Sequence, residues 1–290
     1  MSGLPIVDAQ IHQPAPPVPL PEDFGEEAGR LLNVEIAREA MDSTGVDAAL
    51  VVAGRPYVEA CVARYPGRFI GVETFQATGA ALAEAVEQAR ADPAYAAGRL
   101  LVTDFRTLEL APNFTNGGMD AGFAAAEAAG LPLFVSTHGQ AAAMRPVIER
   151  HPRLTLVIDH LGVSQHPVSP PRDDPWDRLA ALLELGRYPN VHVKVCGLPL
   201  LSREGYPFAD TLAQLRRVIA AFGAERLMWA SDYTRLRMAK TGEDLRERGR
   251  LYSETRDMLL HTAALSEAEK RAILGETCMR VIGWRPGVAA

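Results

Sequence analysis

Pro5-Ile-Val-Asp-Ala-Gln-Ile-His-Gln13 alternates along its length. In an extended chain Ile6, Asp8, Gln10 and His12 point one way, and Val7, Ala9 and Ile11 point the other. The second set is an apolar face that a covering layer would bury. The first begins apolar at Ile6 and ends in an amide and an imidazole, and Pro14 stops the strand. A buried strand of this kind carries polar atoms to one end of a sheet or barrel, where α/β proteins keep their sites. The same residues also fit a strand that merely runs into a polar loop, so the rest of the chain decides.

Outward from that strand, five prolines in positions 14–21 exclude both helix and ladder and give a stiff loop. Helical periodicity then alternates with short apolar runs. Helices are expected over 35–43, 58–65, 80–90, 120–129, 141–150, 176–185 and 210–222. Strands are expected over 48–53, 69–74, 99–106, 131–137, 154–158, 191–195 and 227–230. Two further helices close the chain, the second opened by Ser266 and Glu269 in capping-box spacing. Eight strand-like runs in 290 residues predict an α/β protein, a (β/α)8 TIM barrel forming a single domain over 1–290. A doubly wound sheet is the alternative, but no G-x-G-x-x-G or G-x-x-x-x-G-K follows any strand.

The bulk composition narrows the partners. With 48% apolar residues and a net charge of −6, the chain has a large core and no positive field for a polyanion, so nucleic acid is not expected. Cys61, Cys196 and Cys278 are scattered and odd in number, which argues for a reducing compartment. The first strand begins near residue 5, and no apolar run is long enough to span a bilayer. A cytoplasmic protein without membrane contact is expected; a homo-oligomer stays open.

Polar residues gather at the expected strand ends: Gln10 and His12, Arg55, Asp104 and Arg106, His138, Asp159 and His160, Lys194 and Cys196, and Asp232. On a barrel all of these share one rim. Three histidines of the seven, each ending a different strand, are hard to explain as separate structural residues. His12, His138 and Asp232 form a two-imidazole, one-carboxylate set suited to a divalent ion with open positions or to proton transfer near neutral pH. His160 would orient substrate or water, and Asp159 would support its neighbours or cap a helix. Arg106 sits where a buried guanidinium would clamp a carboxylate, with Arg55, Arg235 and Arg237 as loop candidates for the same task. Lys194 and Tyr206 complete the expected substrate contacts, Tyr206 as part of an aromatic wall with Phe208. Cys196 has no evident activating partner and reads as a small core residue.

Asp8-Ala-Gln-Ile-His12, Thr137-His138-Gly139, Asp159-His160-Leu-Gly162, Val193-Lys-Val195 and Trp229-Ala-Ser-Asp-Tyr-Thr234 come in an order and spacing that resembles the amidohydrolase superfamily. The likeness covers nearly the whole chain. It is nearest the branch of small barrels that includes 2-pyrone-4,6-dicarboxylate lactonases, and also metal-dependent decarboxylases of muconate- and resorcylate-type acids. The resemblance implies metal binding or acid–base work for His12, His138 and Asp232, with His160 in support. Two departures stand out. Gln10 replaces the first histidine of a His-x-His pair. The three lysines, Lys194, Lys240 and Lys270, lie far from strand four, which excludes a lysine-bridged pair of metals there. Either one divalent ion, zinc or manganese, held by His12, His138, Asp232 and Gln10, or no metal at all is expected, with no organic cofactor.

The function expected is hydrolysis of a C–O ester bond in a small carboxylate-bearing lactone, with Asp232 as general base. Non-oxidative decarboxylation on one metal is the first alternative, and Gln10 counts against it. A barrel that binds a ligand without turnover is the second.

Overall fold

Eight parallel strands pair in sequence order within one sheet: β1 (Val7–Ile11), β2 (Ala48–Val51), β3 (Phe69–Thr74), β4 (Tyr95–Leu101), β5 (Leu133–Ser136), β6 (Leu156–Ile158), β7 (Val191–Cys196) and β8 (Leu227–Ala230). The computed structural model describes residues 5–15, 19–165, 169–170, 172–236 and 251–287, apart from the side chains of residues 22, 235 and 236. Helices separate the strands, among them Glu26–Thr44, Arg55–Arg64, Gly79–Ala91, Asp120–Ala129 and Ala209–Phe222. This is the (β/α)8 barrel. Most expected elements recur within two or three residues. Two differ: the strand expected over 99–106 begins at Tyr95 and ends at Leu101, and the helix expected over 35–43 begins at Glu26. Ser266 and Glu269 form the reciprocal capping box.

Two apolar layers build the core. Strand residues such as Leu50, Val72, Ala97, Phe134, Val157 and Met228 fill the barrel interior. The alternate residues, among them Val51, Leu133, Ile158, Val193 and Trp229, pack outward against the helices. Cys278, Ile282 and Trp284 of the C-terminal segment join the inner layer. Gly287 donates to the carbonyl of Gly67, just ahead of β3, so this segment closes the N-terminal end of the barrel. The opposite end is left for chemistry.

One expectation fails at β1. Val7 and Ala9 lie in the inner layer and Ile11 in the outer one, so the simple alternation through Ile6, Asp8, Gln10 and His12 does not hold. The pairing shows why. Asp8 lies opposite Ala49 and Ile11 opposite Val51, so β1 holds one extra residue, a β-bulge. The bulge turns Gln10 and His12 inward and sends Asp8 to the β1–β8 seam.

No ladder joins β1 to β8 among the described residues; polar stitches do so instead. The Asp232 amide donates to the Gln10 carbonyl at 3.1 Å. The Asp8 carboxylate accepts from the Ser231 amide (2.9 Å), the Ser231 hydroxyl (2.5 Å) and the Tyr252 hydroxyl (2.8 Å). Fully buried, Asp8 substitutes for the missing backbone acceptor and holds the segment that carries Asp232.

Burial pushes the Asp8 carboxyl up from an ordinary 3.8 to about 6, against the lowering pull of its bonds from Ser231, Gln10 and Tyr252. A carboxyl that holds its proton more tightly when folded contributes stability that is full below about pH 4 and lost as the pH rises through about 6. Urea unfolding from about pH 4 to about pH 7 is expected to show the wild type losing on the order of 2–3 kcal/mol relative to Asp8→Asn. A gap that stays constant with pH would contradict this assignment.

Candidate active site

The site is built on a buried charge. Lys194 on β7 is wholly inaccessible, so its ammonium must find partners inside the protein. It donates to Gln10 Oε1 at 2.9 Å and lies 3.1 Å from Asp159 Oδ1, an ion pair without hydrogen-bond alignment. It also sits 3.7 Å from the centre of the Phe134 ring, a cation–π contact. Arg99 on β4 donates from Nε to the other oxygen of Asp159 at 2.7 Å. Burial alone would raise the Asp159 carboxyl, but Lys194 and Arg99 outweigh it and hold the group below the usual carboxylate range. Burial draws the Lys194 ammonium down, and Asp159 opposes that shift. Two cations and one anion leave one surplus positive charge beneath the histidines.

His12 follows β1. Its Nδ1 lies 2.6 Å from the carbonyl of Val52, which can only accept, so Nδ1 carries the hydrogen. In the neutral ring Nε2 is then a lone pair. It faces Asp232 Oδ1 at 3.2 Å and Gln10 Nε2 at 3.4 Å. The same Gln10 nitrogen lies 3.4 Å from His160 Nε2. His160 Nδ1 is buried with no hydrogen-bond partner among the described residues. The His138 ring stacks on His160, centres 6.1 Å apart, with Nε2 2.7 Å from the Ser136 hydroxyl and Nδ1 3.4 Å from that of Ser169. Burial, with the nearby His160 and Arg99, pulls His138 down to about 3; burial also lowers His160. Both rings are therefore neutral near pH 7.

Backbone geometry aims these groups. His138, His160 and Asp232 all have positive φ, at 36°, 54° and 50°, outside the region L-residues favour. Each strand ends and the chain turns sharply, so the side chain faces the barrel mouth. Such strain, of order 1–3 kcal/mol per residue, collects at functional sites.

Of the expected site residues, the structure brings His12, Asp232, His160, Gln10 and Lys194 together, with His138 stacked behind them. It does not bring the arginines in. Arg106 is exposed over Phe105 in a turn whose backbone Asp104 caps, although Phe105 itself borders His138. Arg55 is held on the outside of the barrel by Glu73 and Asp92. Tyr206 is exposed, edge-on to buried Phe208. Arg235, as a side chain, and Arg237 lie outside the described residues. Asp159 is an ion-pair partner rather than a helix cap. Cys196 is a buried interior residue, but it also borders the site, and burial pushes its thiol well up.

Sequence reasoning missed Arg99, Ser136 and Ser169. The signal for Arg99 was its place inside an apolar run, where a charge must be paired.

The donor set has room for a metal ion. His12 Nε2 and Asp232 Oδ1, both atoms able to ligate a metal, lie 3.2 Å apart. Two ligands on one zinc, each about 2.0–2.2 Å away, are spaced roughly 3–3.5 Å apart. The ligand atoms of His160, Cys196 and Asp232 also fall within 4.8 Å of one another.

Comparison with known proteins agrees with this architecture. The family profile described as Amidohydrolase matches residues 7–284. An L-fucono-1,5-lactonase from Burkholderia ambifaria is 40% identical over 93 residues, 31% of this chain and 30% of that enzyme's length. A D-galactarolactone isomerase from Agrobacterium fabrum is 28% identical over 240 residues, 78% of this chain and 75% of that protein. The crystal structure of a zinc-bound amidohydrolase from Burkholderia multivorans superposes with a TM-score of 0.68 at 22% identity, covering 97% of this chain and 99% of that one.

Two measurements check the electrostatics. The ring nitrogens of His138 are expected to show no titration by 15N NMR from about pH 8 to about pH 5; a midpoint near the ordinary 6.5 would contradict its burial among positive neighbours. Lys194→Met removes one partner of a buried pair and is expected to cost about 3–5 kcal/mol of stability in denaturant titrations. A loss under about 1 kcal/mol is the contrary result, since only a solvated pair is worth so little.

Proposed function

The chain belongs to the amidohydrolase family, and on that premise we propose that it hydrolyses the ring ester of a small sugar-acid lactone at the C-terminal mouth of the barrel. The observation that carries this reading is the meeting of His12, His160 and Asp232 over a buried surplus of positive charge. The lactonase and lactone isomerase among its relatives support the substrate class.

In this reading Asp232 accepts a proton from water as the water oxygen attacks the lactone carbonyl. The tetrahedral oxyanion develops over the Arg99–Asp159–Lys194 group, whose surplus charge favours it without any side chain having to move. The carbon–oxygen bond of the ring then breaks. The departing alkoxide takes the proton back from Asp232, leaving an open hydroxy acid. His160, neutral and buried, orients the reacting groups as a ring of fixed protonation. Arg99 is already committed to Asp159 and is not free to clamp a substrate carboxylate.

A divalent ion such as zinc would be held by His12 and Asp232 with His160 or Cys196, and when bound it would polarise the carbonyl as a Lewis acid. Zinc in the Burkholderia multivorans structure is in keeping with that set. No specific observation here favours decarboxylation.

Purified protein offered a panel of aldono- and aldarolactones is expected to release acid, and Asp232→Asn to lower kcat by about 10²–10⁴ while remaining folded. Turnover that survives this substitution unchanged would remove Asp232 from the chemistry. No turnover on any lactone would remove the substrate class.

A further inference from the structure

Gln10 stands where a lone-pair ligand would be expected, and the orientation of its amide decides what it does there. The two ends of a glutamine amide have the same shape and opposite chemistry, and its neighbours decide which end faces which way. The Lys194 ammonium has three donors and no acceptor, so the atom that meets it at 2.9 Å must be the Gln10 oxygen. Lys194 cannot swing aside to release that oxygen. It is fully buried, against Asp159 on one side and the face of Phe134 on the other. The Gln10 NH2 group therefore faces the pocket, 3.4 Å from Nε2 of both His12 and His160. An amide NH2 donates and cannot ligate a metal.

We infer that Gln10 is a positioning residue, clamped by Lys194, whose NH2 group donates toward Nε2 of His12 and His160 and so keeps the hydrogen of each ring on Nδ1, and that it contributes no oxygen to any ion bound there. The carbonyl of Val52 sets the same tautomer of His12 from the other side of the ring. His160 has no such second restraint, because its Nδ1 finds no partner among the described residues. Among the described residues, Gln10 is then the hydrogen-bond partner that sets the tautomer of His160. The inference rests on the proposed function only for where substrate binds, since its readouts need no substrate.

The test is 15N NMR of histidine-labelled, metal-free protein near pH 7, with zinc titration calorimetry alongside, on the wild type and on Gln10→Glu. In the wild type both rings are expected to carry hydrogen on Nδ1. In Gln10→Glu one carboxylate oxygen stays on Lys194 and the other becomes an acceptor facing His160. Its ring is then expected to move its hydrogen to Nε2 in the metal-free protein, and zinc to bind at least about tenfold more tightly, because a carboxylate oxygen that can ligate has replaced an NH2 group that cannot. Hydrogen on Nε2 of His160 in the wild type would overturn the inference. So would a variant whose His160 tautomer and zinc affinity both match the wild type, the behaviour of a glutamine that only fills space. Should the glutamate variant fail to fold, Gln10→Leu serves the NMR arm: loss of the donor is expected to leave His160 a mixture of tautomers, and an unchanged single tautomer is the contrary result. A failed lactone panel with these histidine results intact would count against the substrate class and leave the clamp standing.

Discussion

A lysine ammonium sealed inside a barrel is the constraint on which this structure turns. Lys194 has no route to solvent, so Asp159, Gln10 and the Phe134 ring must satisfy it. Each of those obligations fixes something else. Asp159 is held ionised and in turn anchors Arg99. Gln10 is turned so that its donor face meets the histidines. Phe134 fills the interior beneath. One buried charge thereby sets the potential, the hydrogen-bond polarity and the floor of the pocket, and it does so before any substrate arrives. Such preorganised charge is what favours an oxyanion in a site with little water.

The barrel supplies the second requirement, convergence. Residues from 10 to 232 in the chain reach one mouth because parallel strands all end on the same side. Closure between β1 and β8 is not a regular ladder. A bulge in β1 releases Asp8, which bridges to Ser231 and Tyr252 and so locates the loop bearing Asp232. Three positive-φ residues, His138, His160 and Asp232, complete the aim of the side chains. Strain at the strand ends and polar stitching at the seam are thus the local costs of bringing an imidazole and a carboxylate within 3.2 Å.

Much of this was legible in the sequence. Short apolar runs at regular intervals betray parallel strands, and polar residues at their ends betray a shared mouth; His12, His138, His160 and Asp232 all stand at such ends. The rest was hidden for physical reasons. A bulge adds one residue without changing residue types, so the alternation through Asp8 reads as regular when it is not. Hydrogen-bond direction is a property of pairs: nothing in Gln10 alone reveals that Lys194 claims its oxygen. Arg106 and Arg55 were expected to clamp substrate because arginine suits carboxylates, yet exposure and outside partners occupy them, while Arg99 lay unnoticed within its strand.

The most direct test of the account is a crystal structure of the protein with an open sugar-acid product. The expected result is the product at the barrel mouth, its freed hydroxyl within reach of Asp232 and its carboxylate on the Arg99–Lys194 side, with the Lys194–Gln10 contact undisturbed. A product seated at the opposite end of the barrel or on its outer helices, with the Asp232 end empty, would contradict the account.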